Sequence, residues 1–170
     1  MKTWLWVAVV AAATILFVLW QRSGTKTAYV NGLPEYNHLP GREYIFQRDA
    51  YIFKYVDRNT SYPLVGAHVQ GSTHSVAGLP VEVTPGNIGT TTGSVRILDV
   101  VRTGDRFRIV SVRREQSRRQ TTITFEILLE NEAERRYPRL DAFHILDHGP
   151  EERGAAPALL PLFAVERVKG

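Results

Sequence analysis

The chain has 170 residues, 21 Lys+Arg against 17 Asp+Glu for a net charge of +4, and no cysteine. That length suits one domain with a real core, built without disulfide or metal staples. A near-balanced charge gives no argument for nucleic acid, and the missing cysteine excludes both a thiol nucleophile and a lipoprotein signal, so no nucleic-acid partner and no cofactor is expected.

The first element is the run from Trp4 to Trp20, WLWVAVVAAATILFVLW, uncharged and almost wholly apolar. All three tryptophans of the chain (Trp4, Trp6 and Trp20) stand at its ends, where the amphipathic ring suits a membrane–water boundary. Seventeen residues of helix span about 25 Å, the short end of what crosses a hydrocarbon core of about 30 Å. A cleaved secretory signal is the competing reading, but Gln21 and Arg22 suit a small-x-small cleavage site poorly. Residues 1–23 are therefore expected as a membrane anchor, with a signal-anchor helix over 4–20. Lys2 and the terminal amine nearly balance Arg22 and Lys26 across it. A short N-terminal flank is easily retained, so a single-pass protein is expected. Its C-terminal domain would lie outside the cytoplasm, in the periplasm if the source is bacterial.

Residues 24–41 are expected as a linker, small and polar at first, then rich in turn signals such as Asn31-Gly32 and Leu39-Pro40-Gly41. From 42 to 170 the pattern is mainly β. Tyr44 and Phe46, then Tyr51, Phe53 and Tyr55, alternate around a polar link and predict a hairpin with an aromatic face. Residues 57–93 read as irregular, with a brief strand at 79–84 and a glycine-rich loop that lacks a phosphate-binding ending. Val95, Ile97, Val101, Phe107, Ile109, then Ile123 to Leu129, predict a three-stranded meander with one apolar face. Two more strands are expected at 139–146 and 163–168, and a short helical turn at 130–136. The tail segment 155–165 holds Pro157 and Pro161, which argue against a second membrane helix and favour packing as a terminal strand.

Several short strands with turns between them suggest a small barrel or a sandwich of antiparallel strands. The segment VVRTGDRFRIVSV resembles a stretch of an SH3-like barrel, with an OB-like barrel as the alternative. That resemblance covers only about a dozen residues.

Two constellations are candidates for chemistry. Arg113, Arg114, Arg118 and Arg119 are expected at one solvated hairpin tip, and as the alternative their forked guanidinium donors suit an anionic surface or polymer. His144 and His148 are weak metal candidates, because on a strand they share one face while Asp141 and Asp147 share the other. His68 and His74 form a looser pair. No nucleophile elbow or paired-carboxylate site is present.

The function expected from the residues is that of a membrane-anchored envelope protein whose β domain binds a protein or an envelope polymer. It is held to the lipid bilayer by its N-terminal helix and is not an enzyme. Two other classes stay open: a metal-dependent or other hydrolase using the loop histidines, and a structural subunit of a membrane complex.

Overall fold

A computed structural model describes residue 14 and residues 26–58, 60–116, 120–130, 136–149 and 157–167. The expected anchor helix at 4–20 lies outside the described residues apart from Thr14, as do Arg118, Arg119 and most of the turn expected at 130–136. Among the described residues no helix is long and apolar enough to cross a membrane.

The architecture is mainly β, as the alternation requires. The strands are β1 (Lys26–Tyr29), β2 (Glu43–Phe46), β3 (Ala50–Tyr55), β4 (Leu64–Gly66), β5 (Thr91–Thr92), β6 (Val95–Val101), β7 (Arg106–Gln116) and β8 (Thr121–Leu129). Four short ones follow: β9 (Leu140–Asp141), β10 (Leu146–Asp147), β11 (Ala158–Leu159) and β12 (Ala164–Glu166). Ten of them make one sheet in the order β12-β2-β7-β8-β9-β4-β3-β6-β5, with β1 added along β7. The two ends of this path do not pair, so the sheet is not closed into the expected SH3-like or OB-like barrel. Nor is it purely antiparallel: β4 and β9 run parallel, Leu64 opposite Asp141.

The expected aromatic hairpin at 44–55 is not a hairpin. β2 pairs β7, and β3 pairs β6, with one register on both sides of the break. Ile45 faces Arg106, and five residues along each strand Ala50 faces Val101. Residues 43–55 are thus one bent strand laid against a second bent strand, 95–116. The meander is corrected in the same way, since β6 and β7 do not pair, whereas β7 and β8 do form the expected hairpin.

Asp49 holds the corner. Its carboxylate accepts from Arg102 Nη1 at 2.6 Å, Thr103 N at 2.8 Å and Thr103 Oγ1 at 2.9 Å. The Thr103 N–H and the Arg102 guanidinium hold this carboxyl below its usual range, against a partial desolvation. Gly104 takes φ +92°, a conformation that glycine adopts without a Cβ clash, and its N–H donates to Phe46 O at 2.8 Å. The bend explains why β3 reads as a nearly continuous apolar run. Ala50 and Ile52 pack into the main core with Phe46, Phe107, Phe125 and Ile127. Tyr51 and Phe53 pack on the other face with Leu64, Val76, Val95 and Ile97.

The region expected as a linker belongs to the folded unit. Lys26–Tyr29 are strand β1, and Val30, Tyr36 and Leu39 are buried in the main core, because the turn signals space these apolar residues to reach it. Residues 79–84 form no strand; Leu79 is buried among turns instead. The tail does pack as a terminal strand, with β12 beside β2 and Phe163 buried.

Candidate functional site

A β-bulge decides where the site forms. The β7–β8 register shifts between Ile109 and Ser111, which adds one residue to β7. Before the bulge Phe107 and Ile109 enter the main core, and after it Val112 does. Ser111, Arg113 and Glu115 are thereby set on the opposite face of β7. Thr122, Thr124 and Glu126 occupy the same face of β8, and Asp141 of β9 lies beside Glu126. Alternation of this kind normally means a solvated polar face. Here that face is covered: Glu126 is fully buried, and Thr124, Arg113, Ser111 and Asp141 retain no more than 7% exposure.

Burial is tolerated because the charges are matched. Arg113 Nη2 lies 2.6 Å from Asp141 Oδ2 and 3.1 Å from Glu115 Oε1, and Nη1 lies 3.7 Å from Glu126 Oε1. Glu126 Oε2 accepts from Ser111 Oγ and from Arg139 Nη1, both at 2.6 Å, while the Tyr29 hydroxyl donates to Oε1 at 3.2 Å. Asp141 Oδ1 accepts from the Thr124 hydroxyl and from Phe143 N. Burial pushes the Asp141 carboxyl upward, and the Thr124, Phe143 and Arg113 donors oppose that by favouring the carboxylate. Tyr62 covers the guanidinium of Arg113, 5.6 Å from ring centroid to Cζ. One atom of the set is left over: Arg113 Nε is buried without a hydrogen-bond partner.

Beside this network lies a cavity of about 300 Å³. Arg113, Asp141, Thr124, Glu115 and Thr122 supply its polar side. Tyr55, Leu64, Phe143 and His144 supply the other, with Arg58, Thr60 and Ser61 completing the lining. His144 sits on the 3-10 turn Phe143–Ile145, next to β4. Gly66 makes that approach possible, since a Cβ there would stand 3.0 Å from Val76 Cγ2 and 3.1 Å from His144 Cβ. The imidazole Nε2 is 3.2 Å from the Tyr55 hydroxyl. Burial, then the neighbouring His148 and Arg58, lower the His144 pKa to about 4, and burial raises that of Tyr55. The bond therefore joins two neutral groups at pH 7.

The residues singled out from the sequence are distributed differently from expectation. Arg113 is not at a solvated tip but buried in mid-strand, and Arg114 is half-buried on β7 opposite Ala28 and Ile123. Arg118 and Arg119 lie outside the described residues. His144 and His148 do not share a strand face. Both rings pack against Phe143, at 5.1 and 4.6 Å between centroids, and His148 Nε2 lies 3.1 Å from Phe143 O. Among the described residues no group of three or more His, Cys, Asp or Glu is placed to hold a metal ion. His68 Nδ1 lies 3.2 Å from Ser75 Oγ, which also accepts from Val69 N, so this pair shapes a turn.

Tyr55 belongs to the aromatic face expected over 44–55, and Thr124 and Glu126 are not among the expected site residues. The signal for the last two was present: Ser111-x-Arg113-x-Glu115 and Thr122-x-Thr124-x-Glu126 have the same period on strands predicted to pair. No family model, no curated protein and no solved structure matches this chain.

Proposed function

We propose that the chain is a single-pass membrane protein, anchored by residues 4–20, whose β domain is a binding module rather than an enzyme. The partner is a component of the cell envelope, a protein or a polymer, met outside the cytoplasm. The observation that carries this reading is the register of β1. Lys26 pairs with Gln116, one residue from the Glu115–Thr122 pair at the cavity. Only five residues lie between Trp20 and Lys26, a reach of about 20 Å at most. With the run at 4–20 in a bilayer, the cavity stands close to the headgroups, at the same end as the β7–β8 connection that contains Arg118 and Arg119 in sequence.

Binding is favoured over catalysis because the acid–base candidates are occupied. Asp141 accepts three donors, and His144 is bonded to Tyr55 with its charge suppressed. Such groups recognise and position; they do not offer a free base.

Alkaline carbonate extraction of membranes tests the anchored reading. The full chain should stay in the pellet, and a chain beginning at residue 24 should move to the supernatant. A full chain released by carbonate would overturn it. Because the protein has no cysteine, a single Arg58→Cys variant then reports the side of the membrane through an impermeant thiol reagent.

A further inference from the structure

The chemistry of the cavity lining narrows the class of ligand. An anion would require uncompensated positive charge. The guanidinium of Arg113 is already matched by Asp141, Glu115 and Glu126 at 2.6, 3.1 and 3.7 Å, and two of those carboxylates line the cavity themselves. They would repel a phosphate or carboxylate. A wholly apolar ligand would desolvate these groups with nothing returned. A cation would meet carboxylates that Arg113 already holds, with the Arg58 guanidinium beside them.

What fits is a neutral molecule that donates and accepts hydrogen bonds around its edge and presents an apolar face. Tyr55 and Phe143 offer aromatic carbon for that face. Arg58 lies 4.7 Å over the Tyr55 ring, so the ring is backed by a cation that also donates. The carboxylates accept, and the hydroxyls of Thr60, Ser61 and Thr122 do both. Hydroxyl groups on a saturated ring, each a donor and an acceptor, match this mixture.

We propose that the cavity binds a neutral saccharide unit. Its volume of about 300 Å³ is at the small end of ligand pockets and suits one sugar ring with its waters. This inference deepens the binding reading above and does not depend on the anchor.

The test uses the full chain in a detergent without a sugar headgroup, with the histidine ring and tyrosine signals followed by NMR. The probes are glucose, galactose, mannose, N-acetylglucosamine and myo-inositol, the methyl glycosides of the four sugars, and inorganic phosphate as the contrast. At least one saccharide should saturate the His144 and Tyr55 signals. Affinity should fall about tenfold or more in Tyr55→Leu and by less in Arg58→Ala, each about 1.4 kcal/mol per decade. Tighter binding of the methyl glycoside identifies a chain-linked unit, and equal binding a free sugar; both support the class. No shift with any of these probes in a chain that keeps its dispersed methyl signals would overturn it. Saturable, Arg58-dependent binding of phosphate would overturn it as well. Either failure, in a chain that still resists carbonate extraction, removes the saccharide and leaves the anchor standing.

Discussion

The two faces of the β7–β8 hairpin are both buried, and they are buried on different terms. One face sends Phe107, Ile109, Val112, Ile123, Phe125 and Ile127 into the main core. The other carries Ser111, Arg113, Thr124 and Glu126, no less hidden. Apolar burial stabilises roughly in proportion to area and asks little of geometry, so similar side chains exchange at small cost. Ionic burial stabilises only while each charge keeps its partner. The apolar face holds the domain together, and the polar face fixes its shape at one place, beside the cavity.

The largest expected effect breaks the polar face. Arg113→Met leaves Glu126 and Asp141 without their shared cation and should cost about 3–5 kcal/mol in chemical denaturation of the micelle-bound chain. Removing the carboxylates with the cation, as Arg113→Met with Glu126→Gln and Asp141→Asn, should restore part of that loss.

Next comes His144. Its folded pKa of about 4 lies below the ordinary 6.5, so the folded state refuses a proton that the unfolded state accepts. Its contribution is complete above pH 6.5, declines as the pH falls through the window from 6.5 to 4, and is exhausted below it. The full span is at most about 3 kcal/mol. His144→Phe should flatten the stability curve across that window, measured as denaturation midpoints at pH 4, 5, 6 and 7.

Smaller still is the apolar face. Ile127→Val should cost about 0.5–1.5 kcal/mol, and the contrast with Arg113→Met measures the difference between the two faces. The smallest effect is at the corner. Asp49→Ala loses a half-exposed clasp and should cost about 1 kcal/mol or less. Because its folded pKa is lowered, that contribution is present above the ordinary carboxylate range and fades in acid as the pH falls through the folded value.

The apolar face was legible in the sequence, because Ile123, Phe125, Ile127 and Leu129 recur at every second position, with only Leu128 out of phase, and period two admits one pairing face. The polar face was legible as a pattern but not as an interior. Thr124 and Glu126 look the same whether water or other side chains lie over them, and what covers a sheet is a long-range fact. Arg113 misled for that reason: four arginines around a turn read as a solvated tip, while the bulge at Val110 takes Arg113 out of phase with Phe107 and Ile109 and sets it on the covered opposite face. The bent strands were hidden too. Gln47-Arg48-Asp49 suits a hairpin turn, and only the partner strand, bending at Arg102–Asp105, makes it a corner. In the region expected as a linker, turn residues masked the core roles of Val30, Tyr36 and Leu39.

Above all, the polar face of β7 is interior at Ser111 and Arg113. Thiol reactivity tests it most directly, since the natural chain has no cysteine. Ser111→Cys, at a position with 5% exposure, is compared with Thr121→Cys at an exposed strand end. Each variant is first shown to unfold cooperatively. In the native chain the thiol at 111 should react about a hundredfold or more slowly than that at 121, and the two rates should converge in denaturant. Equal native rates would mean that water reaches this face, and the interior network would be contradicted.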